Sequence, residues 1–200
     1  MKKILFNDKL GLTQAVLDGR KTMTRRIVAL ESTLAITWDC ETEIDRDIAI
    51  KNYIVGNIKN RYEVGEVVAI AQCYMDIDQF HRNGKNAAYL ELLPRLKLYP
   101  GWGNKMFVRS DLMLHHIRIT DIKVERLKGI SDTDCLREGI VKGQCGSKET
   151  HFMDAYYLPV SYQPYCTPQE AFSVLIDKIS GRGTWESNPY VWVYEFELVD

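Results

Sequence analysis

The sequence predicts an α+β fold, a small mixed barrel rather than a doubly wound sheet. Three observations lead there. Strand-like segments number about five or six against about three or four helical ones, and they do not alternate regularly. In the last strand Trp192, Tyr194, Phe196 and Leu198 alternate with Val191, Val193, Glu195 and Glu197. Across Leu114 to Leu127, Ile117 and Ile119 share one parity while Ile122 and Val124 take the other. That switch predicts a bulge, as in a curved barrel strand.

The elements follow in order. Ile4 to Phe6 reads as a short strand. Residues 10–18 read as a helix, with Leu10, Ala15 and Leu17 as core contacts and Gly19 in the stop position. Thr22 to Val28 is rich in β-formers. Glu31 to Asp47 holds six acids against one base, Arg46. It is expected to be an insertion with a solvated acidic face, helical in part from Ile44 to Ile58. Glu63-Val64-Gly65-Glu66 is a turn into a buried strand, Val67 to Ala71. Residues 76–106 contain Asn83-Gly84, Pro94 and Pro100-Gly101-Trp102-Gly103, and are expected to form a cover over the site. Ser131 caps a short helix that Gly139 closes. Residues 141–166 read as irregular. Thr167-Pro168-Gln169-Glu170 is a strong helix start, after which Phe172, Leu175, Ile176 and Ile179 bury one face. Gly181-Arg182-Gly183 ends that helix.

Composition narrows the function classes. The chain has 200 residues, 46% apolar and 26% charged, an ordinary globular mixture. The expected organisation is one domain over residues 1–200, with insertions near 30–60, 76–106 and 141–166. Lys and Arg number 26 against 27 Asp and Glu, a net charge of −1. This excludes nucleic-acid binding by bulk charge and leaves a local basic patch open. Apolar runs fall far short of the ~20 residues of a spanning helix. The apolar start ends at Asn7, too early for a signal peptide. A cytoplasmic protein without a membrane partner is expected. Cys40, Cys73, Cys135, Cys145 and Cys166 form no C-x-x-C pair and fit reduced thiols. There is no H-x-E, Walker loop, G-x-G-x-x-G or G-x-S-x-G, so no cofactor or metal is implied. His115-His116 point to opposite faces of a strand and read as structural. Asp76 and Asp78 are a cation pair or, more simply, a solvated loop edge.

The chemistry-bearing segment is Gly19-Arg20-Lys21-Thr22-Met23-Thr24-Arg25-Arg26. Within residues 1–28 seven Lys and Arg face only Asp8 and Asp18, a local excess of five positive charges. Such a patch either holds a phosphate backbone or blunts a solvated strand edge. A threonine hydroxyl becomes a nucleophile when a base removes its proton, and a desolvated lysine can be that base. Lys21 and Thr24 converge only if the chain turns near Gly19 to Thr22.

Four pieces occur in order: Gly19-Arg20-Lys21-Thr22-x-Thr24-x-Arg26 after a short helix; Tyr62-Glu63-Val64-Gly65-Glu66; the Ile117 to Ser131 run with Glu138-Gly139; and Asn188-Pro189-Tyr190-Val191-Trp192-Val193-Tyr194-Glu195-Phe196. Together they cover roughly half the chain and resemble the ASCH domains of the PUA-like superfamily. The resemblance implies a small PUA-like β-barrel with flanking helices, a cleft beside the first helix, and RNA as partner. Some small bacterial members are amidohydrolases that deacetylate acetylated cytidine. By that resemblance Lys21 is the general base, Thr24 the nucleophile and Glu138 the proton donor or orienting group. Without it, Glu138 is a surface acid in the last turn of a helix. Arg20, Arg25 and Arg26 would hold phosphate. Trp185, in Gly181-Arg182-Gly183-Thr184-Trp185-Glu186, resembles the longer, phage-associated branch; it either stacks a base or packs at the core rim.

Two readings remain. One is an amidohydrolase acting on an acylated base such as acetylcytidine. The other is a non-catalytic RNA-binding module using the same basic cleft. Substrate, protein partners and oligomeric state are not encoded in any motif.

Overall fold

The computed structural model describes residues 1–29, 42–78, 97–98, 100–147 and 151–199. Among these the chain forms strands β1 (Lys3–Ile4), β2 (Met23–Ile27), β3 (Val67–Ile70), β4 (His116–Arg126), β5 (Val141–Ser147), β6 (His151–Tyr157) and β7 (Tyr190–Leu198). The principal helices are α1 (Leu12–Leu17), α2 (Glu43–Asn57), α3 (Asp132–Arg137), α4 (Pro168–Ser180) and α5 (Thr184–Ser187). The fold class is mixed α+β, as the sequence predicts.

Five strands make one mixed sheet in the order β1-β3-β4-β7-β2. Only β1 and β3 run parallel; the other pairs are antiparallel. The predicted bulge is present in β4. Its register against β7 shifts between Ile119 and Asp121, which face Phe196 and Glu195. Thr120 is the extra residue, so Ile117, Ile119, Ile122 and Val124 all share the face of Tyr194 and Phe196. The sheet curls. Arg26, on the edge strand β2, donates Nη2–H to the carbonyl of Leu5, one residue beyond the opposite edge strand β1, at 2.6 Å.

The inner face of the curl holds the main core. Phe6 packs on Phe196 with ring centroids 5.7 Å apart, and Tyr62 meets Tyr194 edge-on at 5.1 Å. Ile4, Ile117 and Ile119 fill the space between, all fully buried. α3 and α4 cover the other face. α4 starts with a complete capping box: the Thr167 hydroxyl accepts from the Glu170 amide, and the Glu170 carboxylate accepts from Thr167.

Several local expectations need correction. β1 stops at Ile4 because the Phe6 carbonyl accepts side-chain hydrogen bonds from Thr13 and Lys105 instead of joining the sheet. α1 begins at Leu12, since Gly11 sits in the left-handed region at φ 66°. It buries Leu12, Ala15 and Val16, while Leu10 and Leu17 are only partly covered. Ile179 is 38% exposed, so Ala171, Phe172, Leu175 and Ile176 carry the buried face of α4. Residues 141–166 are not all irregular: β5 and β6 form an antiparallel hairpin. Most of its residues face solvent, so no apolar alternation marks it in the sequence. The predicted helix near Ile44 to Ile58 is α2, capped by Thr42. Residues 30–41, 79–96 and 99 lie outside the described residues, and with them most of the expected 76–106 cover. No helix among the described residues is long and apolar enough to cross a membrane.

Candidate functional site

The site grows from the free edge of β2. Thr22 O accepts from Phe196, and Val28 donates to Tyr190 O. Antiparallel pairing alternates, so Thr22, Thr24 and Arg26 bond toward β7, while the Met23 and Arg25 peptide groups point to the open edge. An unpaired carbonyl there needs a donor. Lys21 supplies it. Its Nζ donates to Met23 O at 2.7 Å, to Glu138 O at 2.8 Å and to Glu138 Oε2 at 2.6 Å. All three ammonium protons are engaged, and Lys21 is 2% exposed.

The turn that brings Lys21 here follows from local rules. Gly19 takes φ 71° after α1, and the Lys21 amide donates to Ala15 O. The Thr22 amide donates to Arg137 O at the end of α3. Glu138 follows as the C-cap of α3, with Gly139 at φ 110° turning the chain away. A Cβ on Gly139 would also stand 3.7 Å from Lys21 Cδ, so the chain passes directly over the lysine stem.

Glu138 has a second cationic partner. Arg25 Nη1 donates to Glu138 Oε1 at 3.1 Å, and Arg25 Nη2 reaches Glu125 Oε1 at 2.6 Å and Asp134 Oδ2 at 3.3 Å. The Arg25 side chain is fully buried, with its guanidinium 6.0 Å from the Phe172 ring centre. Burial is the largest influence on Lys21 and lowers its pKa; Glu138 opposes it, and Arg26 and Arg25 add to it. For Arg25 burial acts downward too, but Glu138 and Glu125 outweigh it and the pKa is raised.

Thr24 lies on the opposite face of β2 from Met23 and Arg25. It is 5% exposed, and its hydroxyl has no hydrogen-bond partner among the described residues. Lys21 Nζ lies 5.9 Å from the centre of the Phe6 ring, and Phe6 packs on Phe196. Phe196 shares its face with Tyr194, the direct partner of Thr24. The ammonium therefore approaches the side of the sheet that carries Thr24, against the peptide joining Met23 to Thr24. Lys21 and Glu138 are in direct contact, and Thr24 follows in the chain the Met23 carbonyl that Lys21 binds.

The expected phosphate ligands separate. Arg25 is enclosed by three carboxylates and presents no donor to solvent. Arg20 is exposed and paired with Asp18 at 2.8 Å. Arg26 is half-buried on the Thr24 face and lines a cavity. Trp185 packs edge-on to Phe172 at 6.1 Å, with Lys128 Nζ 5.9 Å from its ring. That is the Arg25 face, so Trp185 and Arg26 stand on opposite sides of the sheet. Glu125 and Asp134 are participants that sequence reasoning missed. Their signal was available in outline: Glu125 shares a strand face with Lys123, and Asp134 precedes Glu138 by one helical turn. Among the described residues no group of three or more His, Cys, Asp or Glu side chains is placed to hold a metal.

No family model matches the chain, and no curated protein matches it. Among solved structures it is similar to a protein from Enterococcus faecalis V583 assigned to family DUF984. The two are 13% identical, with a TM-score of 0.43, and the match covers 100% of this chain and 81% of that one. A likeness at that level transfers neither fold nor activity.

Proposed function

We propose that the protein is a nucleoside- or RNA-directed amidohydrolase of the ASCH type, built on a small PUA-like barrel. The bridge from Arg26 to Leu5 between opposite sheet edges supports the barrel reading. The observation that carries the activity is the buried Lys21–Glu138 pair at 2.6 Å, whose ammonium also holds the Met23 carbonyl, next in the chain to Thr24. In the proposed step neutral Lys21 takes the Thr24 proton as Oγ attacks the acyl carbonyl. The C–N bond then breaks, and the leaving nitrogen receives a proton from the Lys21–Glu138 pair. Water hydrolyses the resulting threonine ester and releases the acid. Burial favours the neutral lysine this step needs, while Glu138 keeps the proton close at hand.

The test is incubation with a panel of acylated nucleosides, N4-acetylcytidine among them, following release of the acid. Release that disappears in Thr24→Val supports the reading; no release from any member defeats it.

A second reading has its own support. All three donors of Lys21 are occupied, which suits an ammonium serving as a structural clasp. The protein then binds a nucleoside or RNA without turnover. Saturable binding without acid release is the result expected of it.

A further inference from the structure

Toward the end of β2 farther from Lys21, a cavity of about 330 Å³ opens between the edges of the curled sheet. That volume suits a small ligand. Tyr62, Trp192 and Tyr194 supply an aromatic wall, each at least nine-tenths buried. Arg26 enters from β2, and Lys59 and Arg61 enter from the segment between α2 and β3. Among the described residues no carboxylate lines the cavity, and none of these three cations has an ion-pair partner.

That imbalance is the unusual feature. Elsewhere Lys21, Arg25, Lys105 and Arg137 are each matched by an acid. Here three positive charges line one cavity and no acid among the described residues lines it with them, in a chain whose net charge is −1. Unbalanced charge lining a concave site raises the local concentration of an ion of opposite sign. Two of the three positions are held by the fold. Arg26 is fixed by the Leu5 carbonyl at 2.6 Å, the Arg61 amide donates to the Tyr194 hydroxyl at 3.3 Å, and the Arg61 guanidinium lies 5.7 Å from the Tyr62 ring centre.

We propose that this cavity binds a phosphate-bearing nucleotide, with the phosphate among Arg26, Lys59 and Arg61 and the base against the aromatic wall. Arginine forks match phosphate oxygens, and base–aromatic contact is insensitive to base identity. The proposal rests on the nucleoside-type ligand of the preceding reading and adds that the ligand is phosphorylated. The phosphate ester belongs either to a mononucleotide or to an RNA backbone.

Calorimetric titration of the full chain with cytidine, cytidine 5′-monophosphate, inorganic phosphate and a single-stranded RNA of about six nucleotides tests it. The monophosphate is expected to bind at least ~10-fold more tightly than cytidine. The double variant Lys59→Ala/Arg61→Ala should abolish that difference while keeping Tm and cytidine affinity. RNA tighter than the monophosphate identifies the polymer as the source; equal or weaker RNA identifies the mononucleotide. Equal affinity for cytidine and its monophosphate overturns the proposal. So do an undiminished difference in the folded double variant, inorganic phosphate binding as well as the monophosphate, or no binding of any probe. Acid release from an unphosphorylated acyl-nucleoside without phosphate preference defeats this proposal alone. Phosphate preference without acid release defeats the catalytic reading alone.

Discussion

Lys21 Nζ and Glu138 Oε2 lie 2.6 Å apart although 117 residues separate them in the chain. Each side chain is 5% exposed or less. Removing one member strands the other. Glu138→Ala leaves Lys21 with two carbonyls and no counter-charge, and should cost about 3–5 kcal/mol. For a chain of this size that is roughly 6–20 °C in Tm. Lys21→Met/Glu138→Leu should lose less than the sum of its single variants. A double-mutant cycle by thermal or urea unfolding reads this directly. Additive losses would mean that the pair carries no coupling.

Thr24→Val separates chemistry from binding. Valine keeps the branched shape and strand preference and removes only the hydroxyl. Acid release should fall by several orders of magnitude, with ligand affinity within ~10-fold, or ~1.4 kcal/mol. Because the hydroxyl has no partner among the described residues, Tm should hardly move. Undiminished turnover in the folded variant would take Thr24 out of the mechanism.

Neighbouring arginines should behave oppositely. Arg25→Gln exposes Glu125, Glu138 and Asp134 to one another without their shared cation, so its main effect should be a large loss of stability. Arg26→Gln removes one hydrogen bond to Leu5 and one cavity charge, so its main effect should be on ligand affinity. Paired unfolding and binding measurements check the contrast. A folded Arg25→Gln protein with wild-type Tm would contradict it.

Asp177 sets an acid-side dependence. Amide donors from Trp185 at 2.8 Å and Gly183 at 3.0 Å hold its carboxyl below the ordinary 3.8. The folded state therefore binds this proton less readily than the unfolded chain. The stabilisation is complete above 3.8 and is lost as pH falls through the lowered folded-state value. Asp177→Asn should lower Tm at neutral pH, and the gap to wild type should close in strong acid. A gap independent of pH would show that the amide bonds do not depend on the charge.

Thiol reactivity should sort by environment. Burial pushes the Cys135 thiol up to about 12, and the residue is fully buried, whereas Cys145 and Cys166 are exposed. Iodoacetamide on the native protein should modify Cys145 and Cys166 and spare Cys135 until the chain is unfolded. Mass spectrometry of the peptides reports it, and early labelling of Cys135 would refute it.

What the sequence disclosed depended on periodicity. The parity change between Ile119 and Ile122, the Thr167–Glu170 cap and the alternating last strand each have a local signature, and each appears in the structure. The β5–β6 hairpin was missed because exposed strands have no apolar period. The order β1-β3-β4-β7-β2 is a property of long-range pairing that no local window contains. At the site, Lys21 and Glu138 were named together through resemblance, since nothing in their spacing implies contact. The enclosure of Arg25 was hidden for the same reason: its partners come from two elements far from it in the chain, Glu125 from β4 and Asp134 and Glu138 from α3 and its C-cap. Sequence charge counts treat every arginine alike, and only packing distinguishes Arg25 from Arg26.

Thr120 is where β4 changes the parity of its inward face. Because β4 spends two residues, Thr120 and Asp121, on the single step of β7 from Phe196 to Glu195, Ile117 and Ile119 and then Ile122 and Val124 all turn inward, while Lys123 and Glu125 turn outward. Deleting Thr120 leaves Ile119 followed by Asp121 and Ile122, a regular alternation in which both halves keep their partners on β7. Deleting Lys123 with the bulge kept does the opposite: Glu125 turns into the apolar interior and Arg25 loses the carboxylate it contacts at 2.6 Å. The bulge is thus the point at which this strand can shed one residue without exchanging its two faces.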